Sequence, residues 1–160
     1  VAVDSTRAVL AKIALGVSLV VWPTAACVPG EPVIPESVHE FVSSDDRMRT
    51  YDLAWQEIRS LNDHVARGIT GGLAEDSLVV IARMHRLETG SPGRLRDRLT
   101  AGILESLLAE AQELDDASNE AALRQAGLDL QTSFDDGDFG AAKESGLVVF
   151  ALATHLYSPR

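Results

Sequence analysis

His85 and Glu88 lie three residues apart. On a helix that spacing puts both side chains on one face. A histidine and a carboxylate one turn apart make half of a metal site of the kind that bundles assemble from carboxylate–x–x–His motifs on facing helices. Here the order is reversed and the pair occurs once. Glu57 and His64, seven apart and so two turns along one face, are the residues that would complete a set. A working site needs a full ligand count and geometry. Arg83 and Arg86 flank His85, and their charge opposes a cation. A solvated histidine among arginines is the simpler expectation, and a metal at His85 and Glu88 is the alternative.

The arginines continue past that helix. Arg83, Arg86, Arg94, Arg96 and Arg98 fall within one short stretch. Guanidinium forks suit phosphates and carboxylates. No glycine-rich phosphate loop accompanies them. Arg86, Arg94, Arg96 and Arg98 are therefore expected to form an anion-binding or partner-binding patch. His155 sits in an apolar run and is expected to be a satisfied core histidine rather than a base. Asp135, Asp136 and Asp138 lack the spaced ligands and closing glutamate of a calcium loop, so turn and cap chemistry accounts for them. No nucleophile–base–acid set can be placed from sequence order alone. No cofactor is expected.

The elements that carry these residues belong to an acidic chain. Its 160 residues suit one domain and suffice for a core. A net charge of −10 argues against a general nucleic-acid binder, whose footprint is basic. Aromatic residues make up 5%, so the core must be built mostly from Leu, Val and Ala. The single cysteine, Cys27, excludes an internal disulfide framework and a cysteine zinc cage.

Cys27 ends a distinctive stretch. Arg7 and Lys12 precede an uncharged run from Ile13 to Gly30, within which IALGVSLVVWPTAA leads to the cysteine. A basic start, a short apolar run and small residues before a cut are the layout of a secretory leader. Thr24-Ala25-Ala26-Cys27 resembles a bacterial lipobox, with Thr24 where that motif usually has Leu. The resemblance implies acylation of Cys27 as the mature N-terminus and covers residues 1–26 only. A plain secreted leader, a buried core helix in a cytosolic protein and a membrane span are the alternatives. Pro23, Pro29 and Gly30 leave about ten helical residues, short of the roughly 20 that a span needs. Pro29, Pro32 and Pro35 make residues 27–42 an expected semi-rigid tether.

From residue 43 the pattern turns helical. Ser43 or Ser44 is expected to start a first helix whose apolar face is Tyr51, Trp55, Ile58, Leu61 and Val65, with Gly68 closing it. A second spans Leu73 to Glu88 and stops at Gly90; the β-branched SLVVI at its centre is read as helix because its flanks are good helix formers. A third, with the clearest period, starts at Ser91 and Pro92 and repeats Leu95, Leu99, Ile103, Leu107 and Ala111. Ser118 is expected to cap a fourth, striped by Leu123, Ala126, Leu130 and Phe134. Asp138 is expected to cap a fifth, ending near Tyr157 and apolar nearly all round, as a central bundle helix is.

Short loops between helices favour antiparallel neighbours. The expected fold is an all-α, up-down antiparallel bundle of four to five helices, or four with one appended. The third helix has arginines at its positive end and carboxylates at its negative end, which local electrostatics disfavours. The up-down order would set those arginines beside Asp135, Asp136 and Asp138. The functional expectation is an extracytoplasmic lipoprotein that binds a protein partner. A small-ligand or metal-binding bundle is the alternative.

Overall fold

The computed structural model describes residues 46–90 and 97–158, with side chains from 102 onward in the second stretch. The apolar run, Cys27, the proline-rich stretch, Ser91, Pro92, Arg94, Arg96 and the side chain of Arg98 lie outside the described residues. Five helices follow one another: α1 (Arg47–Arg67), α2 (Leu73–Thr89), α3 (Asp97–Glu113), α4 (Asp116–Asp135) and α5 (Phe139–Tyr157). The protein is an all-α helical bundle, and the described residues contain no strand.

Local chemistry sets the ends. Asp46 caps α1 by accepting the Arg49 N–H at 2.8 Å, one turn later than a start at Ser43 would place it. Gly68 closes α1 at φ 69°, a left-handed conformation that glycine adopts without a Cβ clash. The cap of α4 is Asp115 rather than Ser118: Asp115 accepts the Ser118 N–H at 2.7 Å, so the serine is already inside the helix. Only Leu114 and Asp115 separate the two helices, so the turn is shorter than expected. Asp138 caps α5 through the Ala141 N–H at 3.0 Å.

The contacts between helices fix their order. Arg47 at the start of α1 donates to the Leu87 carbonyl at the end of α2, and His64 near the end of α1 lies beside Asp76 near the start of α2. Tyr51 stacks on Phe134, and Asn62 donates to the Gly127 carbonyl, so α4 also runs against α1. Glu88 meets Lys143, and a Cβ on Gly146 would come within 3.0 Å of Ile81, so α2 and α5 are antiparallel and close. The helices α1, α2, α5 and α4 thus form a closed four-membered ring in up-down order.

The third helix is the appended one. Leu104 and Leu107 pack with Leu147 and Ala151, and Ala111 with Leu152 and Ala153. It therefore lies parallel to α5, on the outside of the ring. Asn119 ties its end down by donating to the carbonyls of Ala111 at 2.8 Å and Leu114 at 3.4 Å. The helix with the clearest period is not the organising one. That place belongs to α5, which packs against α2, α3 and α4. An evenly spaced stripe needs only one partner, whereas an all-round apolar helix needs several.

Candidate interaction surface

The first helix repeats apolar residues in two overlapping sets. Thr50, Ala54, Ile58 and Leu61 form one, and Met48, Tyr51 and Trp55 the other. The ring buries the first set. Met48 is 73% exposed, Tyr51 37% and Trp55 39%. At about 100° per residue, Met48, Trp55 and Arg59 fall within about 40° of one another, and Tyr51 stands beside them towards α4. The expected apolar face of this helix is therefore corrected. Ile58 and Leu61 are core, Val65 is partly buried, and Tyr51 and Trp55 sit at the rim. Small residues at 50 and 54 let the neighbouring helices approach closely, and bulkier rings at the same depth would hold them apart.

Aromatic and basic groups interleave along this rim. The Arg59 guanidinium lies 4.5 Å from the centre of the Trp55 ring. Arg47 lies 5.9 Å from the Phe139 ring centre while donating to Leu87 at 2.8 Å. Tyr51, Phe134 and Phe139 form one ring cluster, with Tyr51 and Phe134 stacked at 4.7 Å. Each exposed cation–π contact is worth about 0.5–1 kcal/mol, enough to bias a side chain without immobilising it.

The charge layout singles out the same helix. Among the described residues the exposed basic side chains are Arg47, Arg49, Arg59 and Arg67 on α1, and Arg124 on α4. The exposed carboxylates are spread over all five helices and their turns. So α1 concentrates exposed positive charge and large exposed apolar groups on a protein that is otherwise acidic.

The residues expected to do chemistry are placed differently. Arg83, expected among solvated arginines, is 1% exposed, and its Nε donates to Glu57 Oε2 at 2.6 Å. That engages Glu57. Glu88 is engaged by Lys143. His64 faces Asp76, whose Oδ2 lies 3.8 Å away, and Asp76 is about 13 Å along α2 from His85. The structure therefore does not bring His85, Glu88, Glu57 and His64 together. Among the described residues no group of three or more His, Cys, Asp or Glu side chains is placed to hold a metal ion. His155 is half-buried in the last turn of α5, not in the core.

The end of α2 does lie beside the α4–α5 turn, as the up-down order requires. One contact that crosses there joins Glu88 on α2 to Lys143 on α5, while the arginines expected to meet the aspartates, Arg94, Arg96 and the Arg98 side chain, lie outside the described residues. Asp135 accepts from Gln131, and Asp138 is occupied as a cap. Arg86 is half-buried at this end.

One small apolar cleft opens between α3, α4 and α5, lined by Leu107, Leu114, Val148, Leu152, Asn119 and Glu110 among others. Its volume of about 10 Å³ admits roughly one water-sized molecule. Burial, and secondarily the charge of Glu113, raise the Glu110 carboxyl above its ordinary value. Nearby, burial and then Glu120 raise the Tyr157 phenol. The cleft is too small for an organic ligand.

No protein-family model, no curated protein and no solved structure matches this chain.

Sequence reasoning passed over Met48, Arg49 and Arg59 as surface residues. The signal that would have found them is Met48-x-x-Tyr51-x-x-x-Trp55-x-x-x-Arg59, a second stripe at helical spacing beside a better-packed one.

Proposed function

We propose that this is a lipid-anchored accessory protein held outside the cytoplasm, and that it acts by binding a partner through the exposed face of α1. The observation that carries the binding role is the coincidence of Met48, Tyr51, Trp55 and the arginines on one helix of an otherwise acidic bundle. Exposed apolar groups rimmed by polar ones mark interaction sites. Trp, Tyr and Arg are also the residues enriched where binding energy concentrates. The location rests on the run that ends Thr24-Ala25-Ala26-Cys27. Among the described residues no helix is long and apolar enough to cross a membrane; attachment in this reading is through Cys27.

Two measurements test the proposal. Intact mass and N-terminal sequencing of protein expressed in a bacterium should find residues 1–26 removed and an acyl mass on Cys27. A retained N-terminus with an unmodified thiol would remove the anchor. For the face, a photo-crosslinking residue at position 55 should give adducts that the same residue at the exposed Gln112 of α3 does not. Equal labelling at both positions would remove α1 as the binding face.

A further inference from the structure

We infer that the exposed face of α1 is a membrane-docking surface for anionic lipid headgroups, which seats the bundle against the bilayer; this rests on the reading of Cys27 as the anchor. The composition of the face is the first argument. Trp55 and Tyr51 are the amphipathic rings that favour the membrane–water interface. Met48, the most exposed large apolar side chain among the described residues, adds a flexible apolar contact.

Charge is the second argument. An acidic protein is repelled by an anionic bilayer unless it presents a basic side. Arg47, Arg49, Arg59 and Arg67 are exposed on α1 against the exposed carboxylates of Asp52 and Asp63, the latter paired with Arg67 at 3.0 Å, so the helix keeps a modest net positive surface. Over a Debye length of about 8 Å at physiological salt, the headgroups respond to the arginines of this helix, offset in part by Asp52 and Asp63, more than to the carboxylates on the far side of the ring. Arg59 lies over Trp55, so a single contact delivers a ring to the interface and a cation to a phosphate.

Connection is the third argument. The chain from Cys27 enters the bundle at Asp46 and Arg47, the start of this same helix. Fully extended, a connection of that length reaches at most about 70 Å. Of the five helices, α1 is the one an anchor at Cys27 holds nearest the bilayer along the chain. A lipid anchor combined with a basic patch gives stable attachment where one acyl chain alone is marginal.

Trp22 and Trp55 are the only tryptophans, which makes the test site-specific. The full chain carrying Trp22→Phe and Cys27→Ser reports on Trp55 alone and without acylation. Vesicles of mixed phosphatidylglycerol and phosphatidylcholine should shift Trp55 emission to the blue and shield it from acrylamide. Brominated acyl chains in those vesicles should quench it. Pure phosphatidylcholine should leave it unchanged. Arg49→Glu with Arg59→Glu should weaken binding by roughly fivefold or more per arginine, with the far-ultraviolet spectrum preserved. A tryptophan moved to Gln112, with Trp55→Phe, should stay in water. The proposal is overturned if Trp55 stays accessible while the protein sediments with vesicles, because another segment then makes the contact. It is equally overturned if Trp55 ignores vesicles and a crosslinker there captures a protein. Insertion of Trp55 in a protein that is never acylated would sink the anchor and keep the surface. Acylation with an aqueous Trp55 would do the reverse.

Discussion

The first and last helices are of similar length, 21 and 19 residues, yet the bundle treats them in opposite ways. The last, α5, has three packing partners and buries Ala142, Gly146, Leu147, Val149, Ala151, Leu152 and Ala153. Its buried positions interleave small residues, Ala142, Gly146, Ala151 and Ala153, with Leu147, Val149 and Leu152, so neighbours close around it from several sides. The first, α1, has two partners, buries a small-residue edge at Thr50 and Ala54, and leaves its larger rings at the rim. Apolar content alone does not decide burial. Size at each position decides it too, because a close-packed interface selects the side that lets backbones approach.

Arg83 offers the largest expected break in that comparison. It is the charged group among the largest fully buried side chains, and it joins the inner side of α1 to α2 through Glu57. Arg83→Ala strands a partly exposed carboxylate and leaves a void, and it should cost about 3 kcal/mol. Arg83→Met with Glu57→Gln removes both charges while keeping volume, and it should fall within about 1.5 kcal/mol of wild type. Urea denaturation measures both. Equal losses in the two variants would mean that packing, not an unpaired charge, governs the site.

Trp55 sharpens the comparison at intermediate size. As a core residue, its truncation would cost about 3–5 kcal/mol. At a rim position held by a cation–π contact, Trp55→Ala should cost only about 1 kcal/mol. Ala54→Leu, one residue away on the inner side, should cost about 2 kcal/mol by overpacking. Thermal or urea unfolding of the two variants should therefore rank the small-to-large change above loss of the tryptophan. The opposite ranking would return Trp55 to the core and withdraw the exposed face.

Much of the fold was legible because periodic signals and caps are local. Gly68, Gly90 and Asp138 stand at the helix ends their types predict, and Leu123, Ala126, Leu130 and Phe134 are all buried. What was not legible required knowing which helix meets which. Two stripes on α1 fit the same period, and only the positions of α2 and α4 choose between them. Arg83 reads as one of several surface arginines until Glu57, 26 residues earlier, is set opposite it. The alternative metal set depends on the same knowledge, and among the described residues it gains no group of three ligands. His85 and Glu88 share a face, but Lys143 and Arg83 reach Glu88 and Glu57 from other positions. The candidate surface was half legible: Tyr51 and Trp55 stood out by period but were assigned to the buried side, and Met48, Arg49 and Arg59 did not stand out.

The smallest expected effect concerns α3, the appended helix, and whether its seam is packed as tightly as the ring. Burial raises the Glu110 carboxyl, with Glu113 adding to the shift. The folded state then holds that proton more tightly than the unfolded chain does. Ionised Glu110 therefore lowers stability at neutral pH, and the penalty disappears as pH falls below the unfolded carboxyl value near 4.3. Glu110→Gln should melt slightly above wild type at pH 7, and the gap should close in acid. Asp115 works in the opposite sense. Its cap bond to Ser118 lowers its value, so the stability it contributes is lost as pH falls through that lowered value. Both proteins share that loss, so the difference between the two melts, rather than either melt alone, reports on Glu110. Glu113→Gln should recover the smaller part of the gap, since it removes only the charge contribution. A gap between wild type and Glu110→Gln that is unchanged from pH 7 to pH 4 would mean that Glu110 titrates as it does in the unfolded chain. The seam between α3 and α5 would then be open to water, and α3 would be a loosely held appendage of a four-helix ring.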